Sequence, residues 1–247
     1  MTDPLPVEPA SIRLSRRVVE LCQCSRSVAE MYIEGGWVRV DGMVVEEPQF
    51  QVGLQAVTLD PDAQAVPLRP VTLIAHKPLG MPSERLVDPR EPWVQAGNRS
   101  ALDQSAQKLL KRHCRQLQLT LPLDVESCGL TVLTQEAGVL RKLTQTHPGP
   151  EQEYLIDLGA EPAPAALERL RQPASAGPYR RSPIKVSLQS EARLRMVGKA
   201  LAPESIRAQC QQAGLQVSTI KRIRIGSVSM ARLASGEWRY LSEAERF

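Results

Sequence analysis

The sequence predicts an α+β protein with two domains: a small N-terminal one, and a larger one built on a mixed, largely antiparallel sheet flanked by helices. Strand and helix signals alternate irregularly along the 247 residues, and several strand signals come in hairpin-like pairs. A proline-bearing connector separates the first 60 residues from the rest. No Gly-x-Gly-x-x-Gly or Walker sequence occurs, so a doubly wound nucleotide-binding sheet is not indicated.

The N-terminal domain begins with signals for two short helices. Ser15 can cap a first helix that runs through Leu21, and Ser25 or Ser27 can start a second. Gly35-Gly36 would end the second helix, because glycine readily takes the left-handed conformation that follows a helix terminus. A compact helix pair is therefore predicted.

A hairpin follows the helix pair. Asp41-Gly42 stands between the apolar runs Trp37–Val40 and Met43–Val45, and an Asp-Gly pair in that setting is a strong hairpin signal. The connector that follows contains prolines and lacks periodicity. The predicted division is residues 11–60 for the first domain, 61–70 for the linker and 71–247 for the second domain.

The second domain is predicted to alternate strands and helices. The predicted strands are Val71–Ala75, Leu130–Thr134, Tyr154–Leu158, Ile184–Leu188, Ala192–Val197, Val217–Ile225 and a short pair that ends in Gly236–Leu241. The predicted helices are Asp103–Gln118, Gly138–Leu143, Ala165–Arg171 and Pro203–Ala213.

Composition favours a cytoplasmic globular protein. The chain is 42% hydrophobic, and it contains neither a membrane-spanning apolar run nor the basic-then-apolar start of a signal peptide. Its five scattered cysteines are an odd number, which is typical of reduced thiols rather than of a disulfide framework. Three histidines and these cysteines do not form a metal-binding pattern, so no metal is expected.

Charge distribution is more informative than the net charge of +4. Lys108, Lys111, Arg112 and Arg115 have the spacing i, i+3, i+4, i+7 and would line one face of the predicted Asp103–Gln118 helix. Such a face could bind a polyanion or could simply be solvated. The first 50 residues contain eight acidic and five basic side chains, so overall charge there says little about nucleic acids.

The most informative segment is Leu121–Thr134, which presents Asp124 on a glycine-bearing turn before an apolar run. This pattern indicates a reactive acid at a strand end. Three further segments accompany it in the sequence, and they are Thr72–Gly80, Gln152–Ile156 and Lys221–Gly226. Together, in this order, the four segments resemble the RNA pseudouridine synthases.

The N-terminal domain resembles the S4 RNA-binding domain across nearly its whole length. The matching features are arginines on the first helix, Cys-Ser-Arg before the second, and Glu-Gly-Gly-Trp-Val-Arg-Val-Asp-Gly after it. In that family the helix pair and the next loop face RNA, and the matching positions here are Arg13, Arg16, Arg17, Ser25, Arg26 and Arg39. The alternative is that these arginines pair with Glu20, Glu30 and Glu34 and only keep the domain soluble.

The resemblance implies roles for individual residues. Asp124 matches the catalytic aspartate, and Tyr154 matches the tyrosine that lies against the target base. Leu130, Arg207 and Lys221 fall on motifs that would contribute to substrate binding. Lys77-Pro78-Leu79-Gly80 matches the first motif of the family, in which the proline and glycine would shape the strand exit.

The resemblance also implies chemistry and partners. Uridine isomerisation neither oxidises nor adds anything, so one ionised carboxylate suffices and no cofactor is expected. The target base must leave its stack and enter a pocket with an apolar or aromatic surface. The expected partner is structured RNA, ribosomal RNA in the relatives that join an S4 domain to this catalytic domain. We expect a monomer and no DNA or membrane partner.

The sequence departs from the family at the carboxylate's expected basic neighbours. Pro122 replaces an arginine, and Leu201–Glu204 replaces an arginine-rich stretch, with milder changes at Glu126 and Gln152. A half-buried carboxylate without a cation holds its negative charge poorly, so some other base would have to compensate. The candidates are Arg180, Arg181, Arg207 and Lys221.

These departures leave a second hypothesis open: a non-catalytic RNA-binding protein that kept the fold. Two further functions fit less well. A metal-dependent hydrolase would need clustered histidines and carboxylates. A DNA-binding helix pair is possible for the N-terminal domain, but the hairpin after it favours RNA.

Overall fold

The structure is a computed structural model that describes residues 11–171 and 184–247. The chain forms two compact units. The N-terminal unit consists of the residues up to Arg69 together with Gln107–Arg115, and the C-terminal unit consists of Pro70–Ala106 and Gln116–Phe247. No helix among the described residues is long and apolar enough to cross a bilayer.

Among the residues described, the N-terminal unit contains two α-helices and two small antiparallel sheets. Strand β1 pairs with β4, and β2 pairs with both β3 and β5. The elements are β1 Ile12–Arg13, α1 Leu14–Cys22, α2 Arg26–Glu34, β2 Val38–Val40, β3 Met43–Val44, β4 Gln51–Val52 and β5 Val57–Leu59. The core that holds them together consists of Leu14, Val18, Ala29, Ile33, Val38, Val40, Val45 and Val52.

The start of α1 differs from the prediction. Ser15 is not an N-cap; it lies within the helix and is buried. The reason is that the first amides of α1 already have partners, since Leu14 N–H donates to the Phe50 carbonyl at 2.7 Å and Ser15 N–H to the Pro48 carbonyl at 3.0 Å. Backbone carbonyls therefore satisfy the donors that a side-chain cap would otherwise satisfy.

The second helix and the hairpin form as predicted. The Ser25 hydroxyl accepts from Val28 N–H at 3.3 Å and caps α2, which ends at Gly35. Asp41 and Gly42 both take positive φ, 49° and 81°, which are the angles of a two-residue type I′ turn. Local residue chemistry is thus sufficient to specify these features.

The predicted helix Asp103–Gln118 is wrong. Only Lys111–Cys114 forms a short 3₁₀ helix, and the four basic residues do not share a long helix face. Within the N-terminal unit, Lys111 N–H donates to Glu46 at 2.7 Å, and the Lys108 ammonium lies 3.3 Å from the centre of the Trp37 ring. These partners replace intrahelical hydrogen bonds, and spacing along the sequence cannot reveal them.

In its described part, the C-terminal unit contains a nine-stranded sheet, three α-helices and the short 3₁₀ helices Ser83–Val87 and Ala96–Asn98. Seven strands run in the order β10-β11-β9-β12-β8-β6-β14, while β13 pairs with β12 and β7 with β8. The elements are β6 Thr72–Lys77, β7 Gln118–Thr120, β8 Ser127–Thr134, α3 Ala137–Thr144, β9 Glu151–Leu158, α4 Pro164–Arg171, β10 Lys185–Ser190, β11 Arg193–Lys199, α5 Pro203–Gln212, β12 Val217–Ile225, β13 Val228–Ser229 and β14 Trp238–Tyr240.

The sheet is mixed and largely antiparallel, which confirms the predicted fold class. Among the described strand pairs, β8 and β12 run parallel, and the other pairs are antiparallel. Two apolar clusters pack on this sheet. The first contains Tyr154, Ile156, Leu194, Met196 and Ile206, with Leu123 from the loop before β8. The second contains Ile74, Leu130, Val132, Ile225 and Leu143 of α3.

Gly129 is required where β8 pairs with β12. Its φ is +108°, and an added Cβ would collide with the backbone of Arg222 on the facing strand. Gly129→Ala should therefore lower the free energy of unfolding by at least about 2–3 kcal/mol, through backbone strain and overpacking. Chemical denaturation would measure this loss. The matched control is Gly138→Ala in α3, where the added methyl meets nothing within 4 Å.

Candidate functional site

Asp124 lies in the loop of residues 121–126, between β7 and β8. The Asp124 carbonyl accepts from Ser127 N–H at 3.3 Å, which closes a turn at the start of β8. Leu121, at the beginning of the loop, has φ of 47°, so the chain reverses sharply there. The Asp124 side chain is 23% exposed. The carboxylate is therefore accessible from solvent but does not point into bulk water.

A cationic neighbour of this carboxylate comes from α5. Arg207 Nη2 lies 3.5 Å from Asp124 Oδ1 and donates to Ser127 Oγ at 3.2 Å. Arg207 Nε lies 3.5 Å from Glu126 Oε2. Arg207, one of the four predicted candidates, thus supplies positive charge beside Asp124. Arg180 and Arg181 lie outside the described residues.

The ion pair between Asp124 and Arg207 is incomplete. Asp124 Oδ1 and Arg207 Nε are buried atoms without a hydrogen-bond partner in the described part of the chain. The 3.5 Å separation allows Coulombic attraction but is longer than a normal N–H···O hydrogen bond, so the contact is electrostatic. Buried unsatisfied polar atoms are uncommon in folded proteins and often occur at functional sites.

Tyr154 is fully buried in the same apolar cluster as Leu123, the residue before Asp124. Its hydroxyl lies 2.8 Å from Gln152 Oε1 and 3.2 Å from the Leu201 carbonyl, so it can donate to either acceptor. Burial raises the pKa of Tyr154. The negative charge of Asp124 adds to this upward shift, and the nearby Arg222 works against it. The phenol is therefore protonated at neutral pH.

Sequence reasoning did not identify Arg222 as an individual site residue. Its guanidinium is buried in the C-terminal unit and hydrogen-bonds to three parts of it. Nε donates to the Leu130 carbonyl at 2.8 Å, Nη2 to the Leu121 carbonyl at 2.5 Å, and Nη1 to Gln152 Oε1 at 3.2 Å and to the Tyr154 hydroxyl at 3.4 Å. One side chain thus connects the Asp124 loop, β8 and the tyrosine. Its motif, Lys221–Gly226, contributed only Lys221 to the predicted site residues.

Lys77 is a second buried cation near the site. Its ammonium donates to the carbonyls of Pro78 at 3.0 Å and Met81 at 2.5 Å. Burial lowers the pKa of Lys77, while the charges of Cys128 and Asp124 oppose that shift. Lys77 therefore adds positive potential around Asp124, and its hydrogen bonds fix the turn after β6.

The remaining predicted substrate-binding residues lie elsewhere on the sheet. Leu130 packs in the second apolar cluster, apart from Tyr154. Lys221 is paired opposite Cys128 in the parallel β8–β12 ladder, and its charge lowers the pKa of that thiol against the larger effect of burial. The described contacts thus bring Asp124, Arg207 and Tyr154 close together. They do not bring Leu130 and Lys221 to the same place.

Several predicted RNA-binding residues meet around one concave surface of the N-terminal unit. This cavity of about 570 Å³ is lined by Ser11, Ile12, Arg13, Ser15, Arg16, Val19, Arg26 and Gln51. The predicted alternative pairing is also present, since Arg16 contacts Glu20 at 3.2 Å and Arg26 contacts Glu30 at 2.8 Å. Both pairs are exposed, and exposed ion pairs are weak enough for a phosphate to displace the carboxylate.

The other predicted RNA-binding residues do not line this cavity. Arg17 lies 3.9 Å from Glu20, and Arg39 donates to the Gly42 carbonyl at 3.1 Å within the hairpin. Ser25 caps α2. The predicted set therefore divides into three arginines around a cavity and three residues with local structural contacts.

Comparison with known proteins gives a consistent family of relatives. No protein-family model matches the chain. An uncharacterized RNA pseudouridine synthase of Aquifex aeolicus is 25% identical over 242 residues, which cover 95% of this chain and 94% of that protein. The dual-specificity RNA pseudouridine synthase RluF of Escherichia coli K12 is 26% identical over 244 residues, covering 96% of this chain and 77% of RluF.

A third sequence relative and a solved structure agree with these two. An uncharacterized RNA pseudouridine synthase of Mycobacterium bovis is 28% identical over 254 residues, covering 96% of this chain and 92% of the relative. The crystal structure of a pseudouridylate synthase superposes with a TM-score of 0.57 at 17% identity, covering 95% of this chain and 97% of the other. This structural match supports the fold.

Proposed function

We propose that this chain, which belongs to the RNA pseudouridine synthases and hence to the isomerases, converts a specific uridine of structured ribosomal RNA to pseudouridine with Asp124 and without a cofactor. The observation that carries this proposal is the half-buried Asp124 carboxylate, which lies 3.5 Å from the Arg207 guanidinium and has a buried oxygen without a hydrogen-bond partner. Because the Asp124 side chain is 23% exposed, a substrate can reach the carboxylate from solvent.

The proposed reaction leaves the composition of the RNA unchanged. The N1–C1′ bond of uridine breaks, the detached uracil turns, and C5 bonds to C1′. A proton leaves C5 and one is gained at N1. Asp124 would either attack covalently or accept a proton from the sugar. The protein must also hold the detached base so that it does not diffuse away.

Arg207 contributes positive charge beside Asp124 in this proposal. Its guanidinium lies 3.5 Å from the carboxylate and attracts negative charge that develops there or on the substrate. Asp124 Oδ1 is buried and has no hydrogen-bond partner in the described part of the chain, so a substrate would reach the carboxylate through the part of the side chain that is exposed. Tyr154, which is fully buried, would support the floor of the nucleoside site from beneath, with its hydroxyl bonded to Gln152 and the Leu201 carbonyl.

The N-terminal unit would bind RNA as an S4-type domain over residues 11–60, with 61–70 as linker and 71–247 as the catalytic domain. The support is the concave surface around Arg13, Arg16 and Arg26. Arginines that contact phosphates supply affinity and orientation rather than sequence choice. We propose a monomer as the working form.

Replacing Arg13, Arg16 and Arg26 together by alanine should weaken the binding of RNA whatever the RNA sequence, and it should reduce the salt dependence of that binding. Each lost phosphate contact lowers the slope of log K against log[salt] by about 0.7–0.9, so three contacts should lower it by about 2–3. Filter binding of a ribosomal RNA transcript from low to high salt measures both quantities. The matched control replaces the exposed Arg90, Arg141 and Arg232 of the C-terminal unit. An unchanged slope in the first triple variant would contradict the assignment.

A second candidate function is RNA binding without catalysis. Pro122 and Leu201–Glu204 stand where the family carries arginines, and Tyr154 is fully buried. Unmodified ribosomal and transfer RNA transcripts made with uridine tritiated at C5 separate the two functions, because forming the C5–C1′ bond releases that tritium. Tritium release supports the enzyme. Salt-sensitive binding without release, and no pseudouridine lost from ribosomal RNA of a deletion strain, would support the binding protein.

A further inference from the structure

Strand pairing does not hold the loop that carries Asp124. Residues 121–126 lie between β7, which ends at Thr120, and β8, which begins at Ser127. A loop without ladder hydrogen bonds is free to shift unless other groups bond its backbone. A catalytic carboxylate, however, must keep its position to within a fraction of an ångström. The contacts that hold this loop therefore bear directly on the proposed reaction.

Ser83 hydrogen-bonds to both backbone groups of the residue before Asp124. The Ser83 hydroxyl donates to the Leu123 carbonyl at 2.7 Å and accepts from the Leu123 N–H at 3.0 Å, across 40 residues of sequence. Ser83 is 1% exposed and Leu123 is 3% exposed. Water therefore cannot readily replace the hydroxyl as a partner. The Ser83 hydroxyl thus supplies a hydrogen-bond partner for both backbone groups of the buried Leu123.

The same turn after β6 also bonds the residue that follows Asp124. Gly80 N–H donates to the Val125 carbonyl at 2.8 Å. Asp124 is therefore flanked on both sides by residues whose backbone is bonded to the segment Gly80–Ser83. Gly80 acts through its main chain, which most substitutions would preserve, whereas Ser83 acts through its side chain.

We propose that Ser83 is a positioning residue that fixes the Asp124 carboxylate relative to Arg207 and the substrate. This inference rests on the proposed function, because it assigns Ser83 an effect on the catalytic step. Without the hydroxyl, Leu123 N–H and C=O lose their partners in a water-poor environment. The loop then relaxes to satisfy them, and Asp124 moves away from its reactive position.

The test compares Ser83→Ala, Ser83→Cys and Ser83→Thr in the full chain, by release of tritium from C5-labelled ribosomal RNA transcripts. Ser83→Ala should lower kcat about 30- to 100-fold, because a displacement near 1 Å can cost about 100-fold in rate, while KM should stay within about 2-fold. Ser83→Cys keeps the size of the side chain but hydrogen-bonds weakly, so it should behave like alanine. Ser83→Thr keeps the hydroxyl and should restore most of kcat.

Ser100→Ala is the matched control, because Ser100 is also a buried serine of the C-terminal unit and its hydroxyl accepts a longer hydrogen bond from Leu102 N–H at 3.4 Å. Hydrogen exchange of the Leu123 amide gives a readout that does not depend on activity. Ser83→Ala should speed this exchange at least about 10-fold more than it speeds exchange in the sheet core.

The outcomes separate this inference from the proposed function. An active wild-type chain whose Ser83→Ala variant keeps kcat within about 2-fold overturns the positioning role alone. A loss of kcat that merely follows the folded fraction, with no recovery in Ser83→Thr, also overturns it. A wild-type chain that releases no tritium overturns the proposed function, and with it the catalytic role of Ser83. In that case, unchanged Leu123 exchange in Ser83→Ala would also disprove the structural contact.

Discussion

Asp124→Asn should abolish pseudouridine formation while RNA affinity remains within about 2-fold of wild type. Asparagine keeps the size of the side chain but can neither attack as an anion nor accept a proton. Loss of a nucleophile or general base typically costs at least about 10⁴-fold in kcat, or about 5 kcal/mol of transition-state stabilisation. Asp124→Ala should have the same effect, because both replacements remove the ionisable oxygen.

Tritium release in single-turnover reactions measures this effect, and filter binding of the same transcript measures affinity. The matched control is Asp62→Asn, which changes an exposed aspartate of the N-terminal unit in the same way. Activity that survives both Asp124 substitutions would disprove the catalytic assignment. A parallel loss of RNA affinity would instead indicate that Asp124 supports the binding surface.

Arg222→Met should be the most destabilising substitution at the site. Methionine fills part of the volume, but the carbonyls of Leu130 and Leu121 lose the guanidinium as a donor. Gln152 and Tyr154 also lose it and keep only their hydrogen bonds to each other and to the Leu201 carbonyl. A buried acceptor that is left without a donor typically costs about 1–3 kcal/mol, so the acceptors that Arg222 serves should together cost about 2–5 kcal/mol. The Arg222 side chain is almost fully buried, so water has little access to replace those bonds.

Urea denaturation of the full chain, monitored by tryptophan fluorescence, measures this loss. Arg232→Met is the matched control, since Arg232 is exposed, and its replacement should change the free energy of unfolding by less than about 0.5 kcal/mol. Arg222→Lys should recover part of the loss, because an ammonium group can still donate to some of the four acceptors. A stability of Arg222→Met within about 1 kcal/mol of wild type would disprove the proposed dependence on this network.

The local sequence predicts much of the secondary structure because the relevant interactions span only a few residues. Ser25 caps α2 with its own hydroxyl, and Asp41-Gly42 adopts the two left-handed conformations that a tight hairpin needs. Segment 103–118 shows the limit of this reasoning. Its basic residues have helical spacing, yet Lys108 and Lys111 contact Trp37, Glu46 and Glu47, which are distant in sequence.

The candidate site was predicted less completely than the fold. Asp124 and Tyr154 could be identified because each belongs to a short segment that resembles a family motif. The absence of the expected arginines suggested an unsupported carboxylate. The structure places Arg207 beside it, and a basic residue on a helix far along the chain has no local pattern that would reveal this contact.

By itself, the sequence determined the mixed α+β class, the limits of most helices and strands, and which acid is a candidate for chemistry. The tertiary structure decided which cation faces that acid, which serine holds its loop, and which buried guanidinium connects the loop to Tyr154. The physical reason is that caps and turns depend on neighbours along the chain. A buried charge or hydroxyl is instead satisfied by whichever groups the folded sheet brings within about 3 Å.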